Sequence, residues 1–378
     1  MITVHAVGDL VLERADSHPL LEPSAAALAQ ADLVVGQLEI PHLDVGVVQT
    51  TDVPAVPGPP AALDAVAAAG FDVLTLAGNH VYDYGPEGIR ETIAHCADRG
   101  LRTVGTGDTI DQALRPVVTD IAGRRVGIMS VNCVGPRESW ATTLKPGCAY
   151  VEIISHYDQP QANPGGPPRV FTFAEPRSLD RFTAAVRSAA EQTDVLVVAL
   201  HKGLVHVPAD LADYERAVAH AAIDAGADAV IAHHAHILRG VELYRGRPVF
   251  HGLGNFVTVT GALAGHESDA PERAAWARRR RRLFGFDPDP AMPEYPFHPD
   301  SRNTMIGVLE FADDGVVTAS VIPCWIDQDC RPIPLGADDR GAQVADYLRA
   351  ITDDAGLDTS YLWAGDRLTV HEKGSRRP

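Results

Sequence analysis

Three imidazoles fall within four positions of the run DAVIAHHAHI, at His233, His234 and His236. They follow an apolar stretch, where burying unpaired rings is costly and packing gives no reason for them. Imidazoles at this density point to a metal site. The pattern recurs along the chain: Asp9 follows VHAVG, Glu39 follows VVGQL, Asn79 and His80 follow VLTLAG, and His201 follows VLVVAL. Alone, Asp9 could cap a helix and Glu39 could be a strand-end charge; their joint occurrence with the histidines makes them ligand candidates. Carboxylate, amide and imidazole together suit a divalent cation and leave Ca, Mn, Fe and Zn all open. His5, His18 and His95 lack such company and read as surface or satisfied core residues. Gly105–Asp108 (GTGD) has no following helix with a lysine, which rules out a phosphate loop.

These polar residues need elements that bring them together. Each ends an apolar, β-branched run of the kind buried on both faces of a sheet. Helical patterns such as PPAALDAVAAAG, GPEGIRETIAHCADRG and LADYERAVAHAAIDAG lie between several of the runs. Strand–helix alternation predicts a layered α/β sheet, in which residues just past the strand C-termini converge on one crevice. The segment from Lys145 to Pro168, rich in Pro, Gly and Asn, reads as a surface excursion. Thr258 to Asn303 is too long for an ordinary connector and reads as a substrate-facing lid. It holds the run Arg278 to Arg282, expected on a solvated helix face or attracting an acidic leader or carboxylate, and the pair His298 and Asp300. TMIGVLEFADDGVVTASVIPCWI then alternates as a hairpin with Asp314-Gly315 at its turn. The expected organisation is a metal-dependent domain over 1–330, with the lid at about 258–303, and a helical or irregular extension over 331–378.

Composition narrows the partners. The 378-residue chain is 46% hydrophobic, enough for a sizeable core, and its net charge of −18 disfavours nucleic acid and anionic membranes. No signal-peptide pattern or membrane-length apolar run is present, so a cytoplasmic protein is expected. The five cysteines are scattered without a CxxC pair and read as reduced thiols. No heptad or apolar stripe speaks to oligomeric state.

The run FDVLTLAGNHVYDYGPEGIRETIAHCADRGLRTVGTG resembles the CapA (poly-γ-glutamate capsule synthesis) family, a branch of the calcineurin-like metallophosphoesterases. VVGQLEIP, ALHKG, DAGADAVIAHHAHILRGVELYRGRPVFHGLGNF and RNTMIG extend the likeness, in the family's order, over most of residues 1 to 310. The resemblance implies a layered β-sheet sandwich flanked by helices. It also implies metal ligation by Glu39, Asn79, His201, His234, Asp9 and His236, with His80 as the neighbouring catalytic histidine. One departure stands out: Val11 occupies the place of the histidine in the superfamily's Asp-x-His motif. That loss predicts a single occupied metal site and leaves Asp9 and His236 free for proton transfer, beside His80 with Asp83.

The resemblance extends to soluble relatives that tailor ribosomally made peptides, among them lasso-peptide epimerases. The expected function is therefore metal-dependent epimerisation of a residue in a peptide substrate, by two bases acting on Cα. Candidate acid/base residues are His80, Asp83, Asp9, His236 and His298, and Lys202 and Arg302 are expected to face the substrate. The competing readings are poly-γ-glutamate or capsule-type polymer metabolism and metal-dependent phosphoester hydrolysis.

Overall fold

The computed structural model describes residues 1–49, 56–158, 169–261 and 271–374. Among these, ten strands form one mixed sheet and six form a second. Val4, Ala6, Val35 and Val73 of the first sheet pack against Ile128, Val197, Ala229 and Ile231 of the second, all buried. Helices cover the outer faces. His18–Leu28 and Ala62–Ala68 bury Leu20, Leu28, Leu63 and Val66 against the first sheet. Pro176–Ala190 and Asp213–Asp224 bury Phe182, Val186, Val218 and Ala222 against the second. The result is the layered sandwich flanked by helices, and because both faces of each sheet are covered, the central strands are continuous apolar runs rather than alternating ones.

The strand Ile2–Leu12 organises the first sheet. Leu33–Leu38 runs parallel on one side. On the other, Asn303–Phe311 pairs antiparallel with Ile2 to Val7, and Asn255–Val259 pairs parallel with Asp9 to Leu12. The exchange of partners falls at Gly8. A Cβ there would lie 2.0 Å from the Gly254 carbonyl oxygen, so only glycine lets that backbone approach. In the second sheet Val195–Lys202 lies between Arg124–Asn132 and Ala229–His234, all parallel, with His201 level with Asn132 and His233.

The excursion after Lys145 contains Ile153–Asp158, paired with Arg169–Ala174 as a two-stranded hairpin; residues 159–168 lie outside the described residues. In the lid segment, residues 262–270 lie outside the described residues, and Pro271–Phe284 is a helix that includes the arginine run. Arg278, Arg279, Arg281 and Arg282 are exposed, whereas Arg280 is buried. The end of the chain, expected as a helical or irregular extension, holds both a helix and a hairpin. Helix Asp339–Asp354 leads into the hairpin Thr359–Ala364 and Arg367–Glu372, which joins the first sheet beside Val317–Ile326. All five cysteines are buried and free. No helix among the described residues is long and apolar enough to cross a membrane.

Candidate metal centre

The C-terminal ends of both sheets meet at one place. The partner exchange at Gly8 aims Asp9 there, and Asp9 N–H donates to the Gly254 carbonyl at 3.0 Å. Glu39 follows the adjacent strand, its N–H bonded to the Leu10 carbonyl at 3.0 Å. Gly78 lets its loop pass close to His201, and Asn79 Oδ1 lies 2.8 Å from His201 Nε2. From the second sheet come His201, His234 and His236. His234 and His236 have φ of 85° and 52°, a left-handed conformation that non-glycine residues adopt at a cost and that concentrates at functional sites.

Two groups of potential ligands result: Glu39, His201 and His234; and Asp9, Glu39 and His236, with donor atoms in each group within 4.8 Å of one another. Both share Glu39. Asp9 is fully buried, and Glu39 and His201 are nearly so. Neither Glu39 oxygen accepts a hydrogen bond, and the Nδ1 atoms of His201 and His234 are likewise buried without partners. Burial and the Asp9 charge raise the Glu39 carboxyl well above its ordinary range, and burial raises Asp9 against the pull of His236. Burial lowers His201 and His236, and holds His234 down to about 3. Buried carboxylates pushed toward protonation beside neutral imidazoles with idle lone pairs form a donor set that lacks a cation. A divalent ion would keep the carboxylates ionised and occupy those lone pairs, so the residues present fit a metal.

The histidine tautomer at His236 follows from its neighbours. Tyr295 O–H donates to the Ser301 carbonyl at 2.9 Å, so its oxygen accepts from Asn255 Nδ2 at 3.0 Å. Asn255 Oδ1 is then an acceptor, and His236 Nδ1, 2.8 Å away, must carry its proton. Nε2 is left as the lone-pair nitrogen, 3.8 Å from Glu39 Oε1. This support is of the kind that orients metal-bound histidines. Sequence reading missed Asn255, although its position at the start of a strand beside Asp9 is part of the run HGLGNF.

The other candidates divide. His80 borders the centre, close enough for its charge to act on His201, His234 and His236, and its Nδ1 lies 2.7 Å from Asp83 Oδ2. Val11 is buried opposite Thr258. His298 Nδ1 accepts the Asp300 N–H at 3.1 Å, closing a short turn before Pro299–Arg302. Its ring meets Phe286 edge-on at 4.9 Å and lies 6.4 Å from the His206 ring. Lys202, expected at the rim, is fully buried: its ammonium donates to Glu215 at 2.9 Å, and Glu215 also accepts from Arg239 at 2.6 Å. Arg302 lies over the Trp325 ring and donates to the Ile326 carbonyl at 2.8 Å, so it braces the sheet. His206, which sequence reading passed over, packs 6.2 Å from His236 between Phe284 and Phe286.

Comparison with known proteins adds a family. The model described as bacterial capsule synthesis protein PGA_cap matches residues 3–260. A probable polyglutamine synthesis accessory protein of Mycobacterium tuberculosis is 30% identical over 204 residues, 52% of this chain and 47% of that protein. The PGA biosynthesis protein CapA of Bacillus subtilis is 29% identical over 192 residues, 50% of this chain and 43% of that protein. The chain thus spans about half the length of these relatives. Among solved structures, a putative 5′-nucleotidase from Staphylococcus aureus in complex with alpha-ketoglutarate gives a TM-score of 0.43 at 13% identity, over 92% of this chain and 58% of that one. A calcineurin-like phosphoesterase from Bacillus subtilis gives 0.35 at 14%, over 94% and 98%.

Proposed function

The chain belongs to the bacterial capsule synthesis family PGA_cap, and from that premise we propose that it is a metal-dependent peptide-modifying enzyme that inverts a backbone Cα by proton exchange. The observation that supports this reading most is the pairing of two imidazoles with carboxylates at the edge of one donor cluster. His80 Nδ1 lies 2.7 Å from Asp83, and His236 Nδ1 lies 3.4 Å from Asp9 Oδ2. Asp83 orients the His80 ring, Asn255 holds the His236 Nδ1 proton with the Asp9 charge beside it, and each ring keeps Nε2 for a proton.

Glu39, Asn79, His201 and His234 would hold the cation. When bound, it supplies positive charge against which the carbonyl next to Cα is polarised. One imidazole takes the Cα proton, and the other gives a proton to the opposite face. The Cα–H bond breaks and re-forms while every backbone bond is kept, so peptide length is unchanged. The test is incubation in D₂O with synthetic peptides, with and without chelator. The expected result is one deuterium gained at a single Cα, lost on chelation and in His80→Ala and His236→Ala. Normal exchange in both variants would remove these residues as the bases.

A second reading, phosphoester hydrolysis, draws support from the two ligand groups that share Glu39, the arrangement by which two ions clamp attacking and leaving oxygens. It predicts hydrolysis of bis-p-nitrophenyl phosphate that requires Asp9 and His236 as ligands. The names of the relatives favour a third, polymer metabolism, and a glutamate polymer shortened or lengthened by the protein would establish it.

A further inference from the structure

A cleft of about 510 Å³ opens beside His234. Its floor is Cys133 to Arg137 with Trp140, and one wall is Gly203, Leu204 and Tyr214; Ile153, Ser155 and Thr172 form the other. We propose that this cleft seats an uncharged stretch of peptide, one end of which reaches His234. The proposal rests on the peptide reading above and narrows its substrate class.

Charge is the first argument. The ionic groups of the lining, Arg137 and Glu152, pair with each other, so the cleft offers no spare cation to a polyanion, and the whole chain carries −18. An acidic polymer would meet repulsion without compensation.

Shape is the second. Ser155 pairs with Thr172 and Tyr157 with Val170, and alternation puts all four on one face of the hairpin. Tyr157 and Val170 are 67% and 46% exposed, so the face that begins with Ser155 and Thr172 continues outward from the cleft, as an extended ligand requires. The floor is braced before any ligand arrives. Trp140 stacks on Tyr150 at 4.3 Å with rings 5° apart, and Arg181 covers the other ring at 4.5 Å. A preformed wall loses little freedom on binding.

Hydrogen bonding is the third. Tyr214 oxygen is taken by the Gly203 N–H at 2.7 Å, which leaves its own proton to donate. A neutral hydroxyl donor in a lining whose two ionic groups pair with each other matches the carbonyls of a peptide backbone.

The experiment uses the full chain and two fluorescein-labelled synthetic peptides of equal length, one of alternating Leu and Ser and one of glutamate only, read by fluorescence anisotropy. Ser155 is exposed and its side chain makes no hydrogen bond, so Ser155→Trp is expected to fill the cleft while keeping the strand pairing with Thr172. The Leu/Ser peptide is expected to bind, about tenfold or more weakly to Ser155→Trp, and more weakly to Tyr157→Ser; the glutamate peptide is expected to show no saturable binding. Equal binding of the Leu/Ser peptide to all three proteins, or tighter binding of the glutamate peptide, would overturn the proposal. Deuterium exchange on the same proteins separates it from the activity. Binding blocked by Ser155→Trp with no exchange in any protein keeps the cleft and removes epimerisation. Exchange that is equal in wild type and Ser155→Trp removes the cleft and keeps epimerisation.

Discussion

Asn255 Oδ1 and His236 Nδ1 lie 2.8 Å apart, and that contact fixes which nitrogen of His236 faces Glu39. Removing it frees the ring and its tautomer. Asn255→Ala is expected to slow Cα deuterium exchange by about 10–100-fold, the usual effect of losing a partner that orients a working imidazole, with metal affinity kept because Glu39, Asn79, His201 and His234 are untouched. Tyr295→Phe, which leaves Asn255 in place but releases its amide, should slow exchange less. Exchange rates in D₂O check the order, and an unchanged rate in Asn255→Ala would show that the contact does not set the working tautomer of His236.

The partner exchange at Gly8 gives a second expectation. An added Cβ meets the Gly254 carbonyl at 2.0 Å, and that carbonyl also holds Asp9 N–H. Gly8→Ala should therefore cost about 1–3 kcal/mol or more in unfolding free energy and lower metal affinity together with it. Urea denaturation and metal titration on the same variant read the two effects.

Beneath the centre, Glu215 joins Lys202 and Arg239, and all three are fully buried. Burial pushes the Glu215 carboxyl up, but the two cations outweigh it and hold it at about 2. Arg239 also ties down the carbonyls of Leu204, Val207 and Asp210, the loop that carries His206. Glu215→Ala strands two buried charges and should destabilise by about 3–5 kcal/mol, read from the urea midpoint.

His42 gives a pH dependence separate from the metal ligands. It is fully buried, and burial lowers its imidazole to about 4, against an ordinary value of 6.5. Between those values the unfolded chain binds the proton and the folded one does not. Its contribution is therefore intact above pH 6.5 and declines as pH falls toward 4. The difference between wild type and His42→Gln should change by up to about 1.4 kcal/mol per pH unit across that window. Parallel stability curves would contradict a buried neutral His42.

Much of the centre was legible in the sequence because each of Asp9, Glu39, Asn79, His201, His234 and His236 ends or follows an apolar run, and parallel strands present such ends at one edge. Lys202 shows where that reasoning stopped short. It follows His201 on the same strand, so period-two alternation turns it to the opposite face, toward Glu215 in the helix beyond. Asn255 and the hand-over at Gly8 were not legible, because they depend on Asn303–Phe311 and Asn255–Val259 returning to one strand from some 250 to 300 residues away. The C-terminal hairpin was hidden for the same reason: its pairing with Val317–Ile326 is tertiary, and a short polar-rich segment carries little periodic signal.

The most direct measurement is metal content: the purified chain is dialysed against Mn²⁺ or Zn²⁺, freed of excess ion, and assayed by plasma mass spectrometry beside Glu39→Gln. The centre described here predicts one tightly held ion per chain in the wild type and none in Glu39→Gln. Equal content in the two proteins, or none in either, would contradict a metal site built on Glu39.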